Sequence, residues 1–230
     1  MKLYGLEKLS LVDYDGKVAC TVFTGGCNFK CGFCHNGPLV TETETLAELP
    51  EKEVLDYVSS RKNILDGVCV TGGEPTLQKD LPDFLEKLKK TGLSVKLDTN
   101  GTNPAMIKSI IENNLADYFA TDIKNDKEHY AEIIGFKKYD VSKIDKTLDY
   151  FKSYGVDYEL RTTLIKEYHH AENIEKIGEW ICGAKKYVLQ KFKNSDTCIT
   201  RSLNEVDQST AEKFLEIAKK YVKNSKLRGY

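Results

Sequence analysis

The chain has 230 residues, 40% of them hydrophobic and 30% charged, with a formal net charge of −1. That composition is ordinary for a globular protein, and the charge gives no electrostatic ground for nucleic-acid binding. No apolar run approaches the roughly 18 residues needed to span a membrane, and the charges in "MKLYGLEKLSLVDYDGK" leave no signal-peptide core, so a cytoplasmic location is expected.

Strand-like and helix-like stretches alternate along the chain. "KVACTVFT" (17–24) is apolar and β-branched and breaks at Gly25-Gly26. Residues 50–63 carry Val54, Leu55 and Val58 at helical spacing. "GVCVTGG" (67–73) reads as a short buried strand, and 79–92 as an amphipathic helix closed by Gly92. "LSVKLDTNG" (93–101) is a strand running into an Asn-Gly turn, followed by a helix at 103–114 with Pro104 in its first turn. "DYFATDIK" (117–124) is a strand, and 127–135 and 142–155 are helices stopped by glycine. Residues 156–165 form a strand, and 171–183 a helix with Ile174, Ile177 and Ile181 on one face. A sixth strand at 185–192 precedes a last helix at 207–224, capped by Ser209 or Thr210. Six strands alternating with helices predict parallel βαβ units in one domain, residues 1–230, as a doubly wound sheet or a barrel.

Seven cysteines are present, an odd number. Cys20 and Cys69 sit in apolar runs and read as small core hydrophobes; Cys182 and Cys198 are scattered. The other three crowd into one loop, "GGCNFKCGFCHNG" (25–37), directly after the first strand. Thiolates bind zinc, Cu(I) or iron–sulfur clusters. A structural zinc site closes with four protein ligands, and a cubane cluster takes one cysteine per iron. Cys27, Cys31 and Cys34 leave a cubane one ligand short, and that open iron can bind a small molecule. Other chemically distinctive residues also follow strands: "TGGEP" (71–75), "LDTNG" (97–101), "TDIK" (121–124) and "LQKF" (189–192). In parallel α/β folds ligand sites gather at the carboxyl ends of strands, so these segments are expected to converge.

Cys-x3-Cys-x2-Cys with Phe33 before the last cysteine, followed by Gly72-Gly73-Glu74-Pro75, resembles the radical S-adenosylmethionine (SAM) superfamily. The resemblance implies an α/β fold, a partial (β/α)6 barrel open on one side. It implies a [4Fe–4S] cluster on Cys27, Cys31 and Cys34, with SAM chelating the open iron and cleaved to a 5′-deoxyadenosyl radical. No catalytic side chain is implied beyond the cluster and SAM. Cofactor contacts are expected from Phe33 and His35 beside the last cysteine, and from Gly72, Gly73 and Glu74. "LDTNG" and "DIK" resemble the activases of glycyl radical enzymes, which implies SAM or a monovalent cation at Asp98, Thr99, Asp122 and Ile123, with Lys124 toward the SAM carboxylate. Arg161 suits either a ligand contact or an ion pair within the barrel. His169-His170 reads as a surface loop.

The short chain, without an auxiliary cysteine-rich insertion, is similar to these activases throughout. "GLEKLSLVDYDGKVACTVFTGGCNFKCGFCHNG" closely resembles anaerobic ribonucleoside-triphosphate reductase activating proteins, and "LQKF" points the same way. The pyruvate formate-lyase activases read Pro-Tyr-His there, so Lys193 stands in place of a SAM-contacting histidine. The resemblance implies a glycyl radical enzyme as partner, with anaerobic ribonucleotide reductase favoured, and flavodoxin or ferredoxin as electron donor. A pyruvate formate-lyase-type activase, or a radical SAM enzyme acting on a small molecule, is the alternative.

Overall fold

The computed structural model describes all 230 residues. The six expected strands are β2 (Ala19–Thr24), β3 (Gly67–Gly72), β4 (Ser94–Thr99), β5 (Tyr118–Asp122), β6 (Tyr158–Leu164) and β7 (Tyr187–Lys191), paired in parallel in that order. Two further strands extend the edges. β1 (Leu3–Ser10) pairs antiparallel with β2, and β8 (Ser225–Arg228) pairs in parallel with β7. The eight-stranded sheet therefore runs in chain order and is not closed. The expected open partial barrel is present, with the β2–β7 core flanked by a strand on each side. Both additions are weak in sequence. β1 interrupts its apolar pattern with Gly5, Glu7 and Lys8, and β8 spans four residues.

The outer face is covered by helices α2 (Glu51–Ser60), α3 (Leu81–Lys89), α4 (Pro104–Glu112), α6 (Ser142–Tyr154), α7 (Ala171–Trp180) and α8 (Gln208–Tyr221), with two short pieces, α1 (Gly37–Thr41) and α5 (Tyr130–Ile133). Their buried stripes follow helical spacing: Leu81, Phe84, Leu85 and Leu88 in α3, and Ile174 and Ile177 in α7. α4 starts at Pro104, with the Asn103 side chain accepting from the Met106 N–H. α6 ends at Gly155 in the left-handed region, φ +66°. The helix expected over 127–135 shrinks to one turn, and α8 is capped by Asp207, whose carboxylate accepts from the Thr210 N–H, rather than by Ser209 or Thr210. No helix is long and apolar enough to cross a membrane.

Cys20 and Cys69 are fully buried, as their apolar settings predict. The barrel interior is different from the layer beneath the helices. Along β6, Glu159, Arg161 and Thr163 alternate with the buried Leu160, Thr162 and Leu164, so the inward face is polar. That polarity fixes the character of the site at the strands' carboxyl ends.

Candidate active site

The cysteine loop leaves β2 at Gly25-Gly26 and is pinned from several sides. Gly26 adopts φ +83°, its N–H donating to Leu39 O at 2.8 Å. The Lys30 N–H donates to Ile134 O after α5, and the Thr200 N–H to Gly32 O. Cys31 is buried; Cys27 and Cys34 are half-buried, and none forms a disulfide.

The segment after β3 presses against this loop, and its glycines make the approach possible. A Cβ on Gly73 would lie 2.0 Å from Gly26 O, and one on Gly72, at φ +125°, 2.3 Å from the Thr24 backbone. The glycines thus serve loop-to-loop packing as well as closeness to a ligand. The Asn36 side chain donates to Gly72 O at 2.9 Å, and the Glu74 N–H to Gly26 O at 2.8 Å. Glu74 is buried and its carboxylate is fully engaged. It accepts from the Thr76 N–H and hydroxyl, from Thr99 Oγ1 at 2.7 Å and from the Asn100 N–H at 2.6 Å. Burial pushes its pKa up against those four bonds. Its side chain therefore ties the end of β3 to the end of β4.

A cavity of about 350 Å³ opens between these loops. Cys27, Cys31, Cys34, Phe33, His35, Gly72, Gly73, Glu74, Asp98, Thr99, Asp122 and Lys124 all line it. Four separate stretches of sequence converge there. Ile123 is the exception. It alternates with Asp122 and Lys124, so its side chain points away and is fully buried in the core. Its carbonyl accepts from Thr162 Oγ1 at 2.7 Å.

Arg161, which the sequence left between two roles, lines the cavity and makes the ion pairs. Its Nη1 lies 2.8 Å from Asp98 Oδ2 and its Nε 2.8 Å from Asp122 Oδ1. Lys124 Nζ is 2.9 Å from Asp122 Oδ2 and 5.5 Å from the centre of the Phe33 ring. Burial, the largest single influence, would raise the pKa of both aspartates; Arg161 together with Lys96 at Asp98, and with Lys124 at Asp122, outweighs it and holds both below the usual carboxylate range. Burial works against the Lys124 ammonium, but Asp122 keeps its pKa above the ordinary lysine value.

Several contributors escaped sequence reading. Lys96, two residues before Asp98 on the same strand face, sits inside an apolar run and is buried against Asp98. Asp13 and Thr163 line the cavity, as does Gln190 of the expected "LQKF" segment. Lys193 does not; its side chain is exposed, and its carbonyl is 2.6 Å from His35 Nε2. His169 is buried rather than a surface residue. Its Nδ1 accepts from the Ile165 N–H and its Nε2 lies 2.9 Å from Lys124 O, so it holds the backbone beneath Lys124. For Lys96 a signal existed, since a lysine at an inward position of a β-strand needs a buried partner.

The donor set fits an iron–sulfur cluster. Three unpaired thiols face one cavity, with no fourth protein thiolate lining it. Burial pushes Cys27 to about 11 and Cys31 to about 12, so without metal the thiols stay protonated, whereas metal ligation would deprotonate them. The metal-capable side chains gathered within 4.8 Å of one another are Asp126, Glu128 and His129, away from this cavity. The three thiols stand wider than that, and a single zinc held by thiolates at about 2.3 Å would draw them closer.

Comparison with known proteins agrees. The family model for the radical SAM superfamily matches residues 21–181. A Methanocaldococcus jannaschii protein provisionally named a glycyl-radical enzyme activating enzyme is 33% identical over 97% of this chain and 94% of its own length. The pyruvate formate-lyase-activating enzyme of Clostridium pasteurianum is 30% identical over 78% of this chain and 76% of its own. Among solved structures, Streptococcus suis SuiB bound to S-adenosylmethionine superposes with a TM-score of 0.71 at 17% identity over 89% of this chain, which spans only 48% of SuiB. A domain of a Bacteroides vulgatus pyruvate-formate lyase-activating enzyme gives 0.58 at 17% identity, covering 71% of this chain and 99% of that domain. These structural likenesses bear on the fold. With the thiols and the strand-end segments meeting in one cavity, and the family model spanning β2 to α7, the chain belongs to the radical SAM superfamily.

Proposed function

We propose that this protein is a glycyl-radical-enzyme activase, an oxidoreductase acting in the cytoplasm on anaerobic ribonucleoside-triphosphate reductase. The single observation that carries the reading is the convergence of the three thiols with the strand-end segments of β3, β4 and β5 in one cavity. Cys27, Cys31 and Cys34 would hold a [4Fe–4S] cluster, which when bound would supply the electron for reductive cleavage of SAM to methionine and the radical that takes a hydrogen atom from a partner glycine. The chain's own residues place the ligand. Gly72 and Gly73 let the β3 loop lie against the cysteine loop, and Phe33 and His35 flank it. Lys124 and Arg161 offer positive charge to the methionyl carboxylate, and Thr163 and Gln190 offer polar contacts on the far wall.

Supporting the activase reading are the relatives named for glycyl-radical enzyme activation and for pyruvate formate-lyase activation. Favouring the reductase as target is the Leu189-Gln190-Lys191-Phe192 end of β7, where Gln190 and not a histidine lines the cavity. The Clostridium relative favours the second reading, a pyruvate formate-lyase-type activase. Anaerobically reconstituted protein, reduced by flavodoxin or ferredoxin, is mixed with SAM and each candidate partner. 5′-Deoxyadenosine and a glycyl radical signal in paramagnetic resonance are expected with the reductase. A radical on pyruvate formate-lyase alone transfers the assignment, and 5′-deoxyadenosine with no radical on either protein leaves a small-molecule substrate.

A further inference from the structure

The likeness to activases brings with it the expectation of a monovalent cation at Asp98, Thr99, Asp122 and Ile123. The residues present do not fit one. A hard cation takes oxygen ligands and needs negative charge to balance its own. Here each carboxylate oxygen already takes a charged N–H donor. Lys96 Nζ lies 2.6 Å from Asp98 Oδ1, and Arg161 Nη1 lies 2.8 Å from Asp98 Oδ2. Arg161 Nε and Lys124 Nζ take the two oxygens of Asp122 at 2.8 and 2.9 Å. Thr99 Oγ1 donates to Glu74, and Ile123 O accepts from Thr162. Three cations face two carboxylates, so an alkali ion would enter a cluster that already carries an excess positive charge.

We propose that Lys96 is the protein's built-in replacement for that ion, so that SAM binds here without a monovalent cation. Lys96 belongs to β4 and faces the same way as Asp98, two residues on; its strand neighbour is Cys69, whose Sγ is 3.8 Å from the ammonium. It is 2% exposed and lies under the cavity floor, whereas Asp98, Asp122, Lys124 and Arg161 line the cavity. A buried ammonium is costly unless paired, and Asp98 is the only carboxylate with which it pairs. Lys96 thus occupies one side of Asp98 permanently, leaving Arg161 and Lys124 to present the excess charge upward to an anionic group of the ligand.

The inference rests on SAM binding and is independent of which protein is activated. SAM affinity of cluster-loaded protein is measured by equilibrium dialysis in sodium, potassium and choline chloride at equal ionic strength, with melting of the cluster-free protein in the same salts. For the wild type, affinity and melting are expected to be the same in all three; a gain in SAM affinity with sodium or potassium over choline overturns the proposal. Lys96→Met should bind SAM about tenfold or more weakly in choline, with recovery in sodium or potassium. Unchanged affinity in choline, or loss that neither ion restores, also overturns it. If Lys96→Met does not fold, the wild-type comparison decides alone.

Discussion

Two ion networks are stacked inside the same barrel, and they do different things. At the mouth, Lys96, Asp98, Arg161, Asp122 and Lys124 form a chain in which every member is largely buried. At the opposite end, Asp15 takes Lys186 at 2.7 Å, Lys226 at 2.6 Å and Arg228 at 3.1 Å, while Glu159 takes Lys186 at 3.0 Å and Arg228 at 2.9 Å. Glu159 and Arg161 are alternate inward residues of β6, so one strand feeds both layers. The lower network carries Asp15, in the β1–β2 connection, across to β7 and β8, and so bridges the two ends of a sheet that backbone pairing leaves open. Lys226 and Asp15 are partly solvated, which screens those pairs. The upper network reaches only across β5, from β4 to β6, within strands the sheet already holds in order; its charges face a cavity. Equivalent chemistry closes the barrel at one end and serves a ligand at the other.

The largest test of this division is at the thiols. Cys27→Ala, Cys31→Ala and Cys34→Ala should each abolish 5′-deoxyadenosine formation and most iron binding after anaerobic reconstitution. Cys69→Ala, whose buried thiol lies 3.6 Å from Asp98 Oδ1 and does not line the cavity, should retain its iron. Full iron content in any of the first three would place the cluster elsewhere.

A smaller effect separates the two networks directly. Arg161→Gln strips one charged donor from both Asp98 and Asp122 in a buried setting, which should cost about 3–5 kcal/mol of stability and lower SAM affinity at least about tenfold. Arg228→Gln strips donors from the buried Glu159 and the partly solvated Asp15, both of which keep Lys186, so it should cost about 1–3 kcal/mol and leave SAM affinity unchanged. Urea denaturation with equilibrium dialysis measures both. An equal loss of SAM affinity in the two variants would mean that the networks act as one electrostatic unit.

The sequence showed the upper network only in part. The strand-end segments were legible because glycines, cysteines and acidic residues close β-branched runs, and the alternation of strands with helices assigns them to one end of a parallel sheet. Lys96 and Arg161 were not assigned because a charged residue within a strand does not announce its partner, which comes from a neighbouring strand at a register that only folding sets. The lower network was invisible for the same reason: Asp15, Glu159, Lys186 and Arg228 lie up to 213 positions apart. Edge strands β1 and β8 escaped because, with one neighbour each, they need little apolar character. Ile123 was misplaced by carrying over a whole segment where alternation applies residue by residue.

His169 makes the distinction between the networks sensitive to pH. Burial lowers its pKa from 6.5 to about 4, so the folded protein keeps it neutral while an unfolded chain would take up a proton below about 6.5. Its stabilising contribution is complete above pH 6.5 and is lost as the pH falls from there toward 4, by up to about 3 kcal/mol. The physical cause is specific. A proton on Nδ1 removes the acceptor for the Ile165 N–H, and the same ring holds the Lys124 carbonyl. Asp98 and Asp122, with pKa values held below the ordinary 3.8, stay charged throughout that window and lose their own contributions only at lower pH. Acidification below pH 6.5 should therefore lower stability, and only as the pH nears 4, where the folded ring itself takes up a proton, should it loosen the backbone under Lys124 and weaken SAM binding, while the lower network, whose Asp15 is likewise held low by its cations, stays intact. His169→Gln removes the titrating group and should flatten the pH dependence of unfolding between 6.5 and 4 relative to wild type. An identical slope in the two proteins would show that His169 is protonated without strain, and that the mouth of the barrel is no more acid-sensitive than its base.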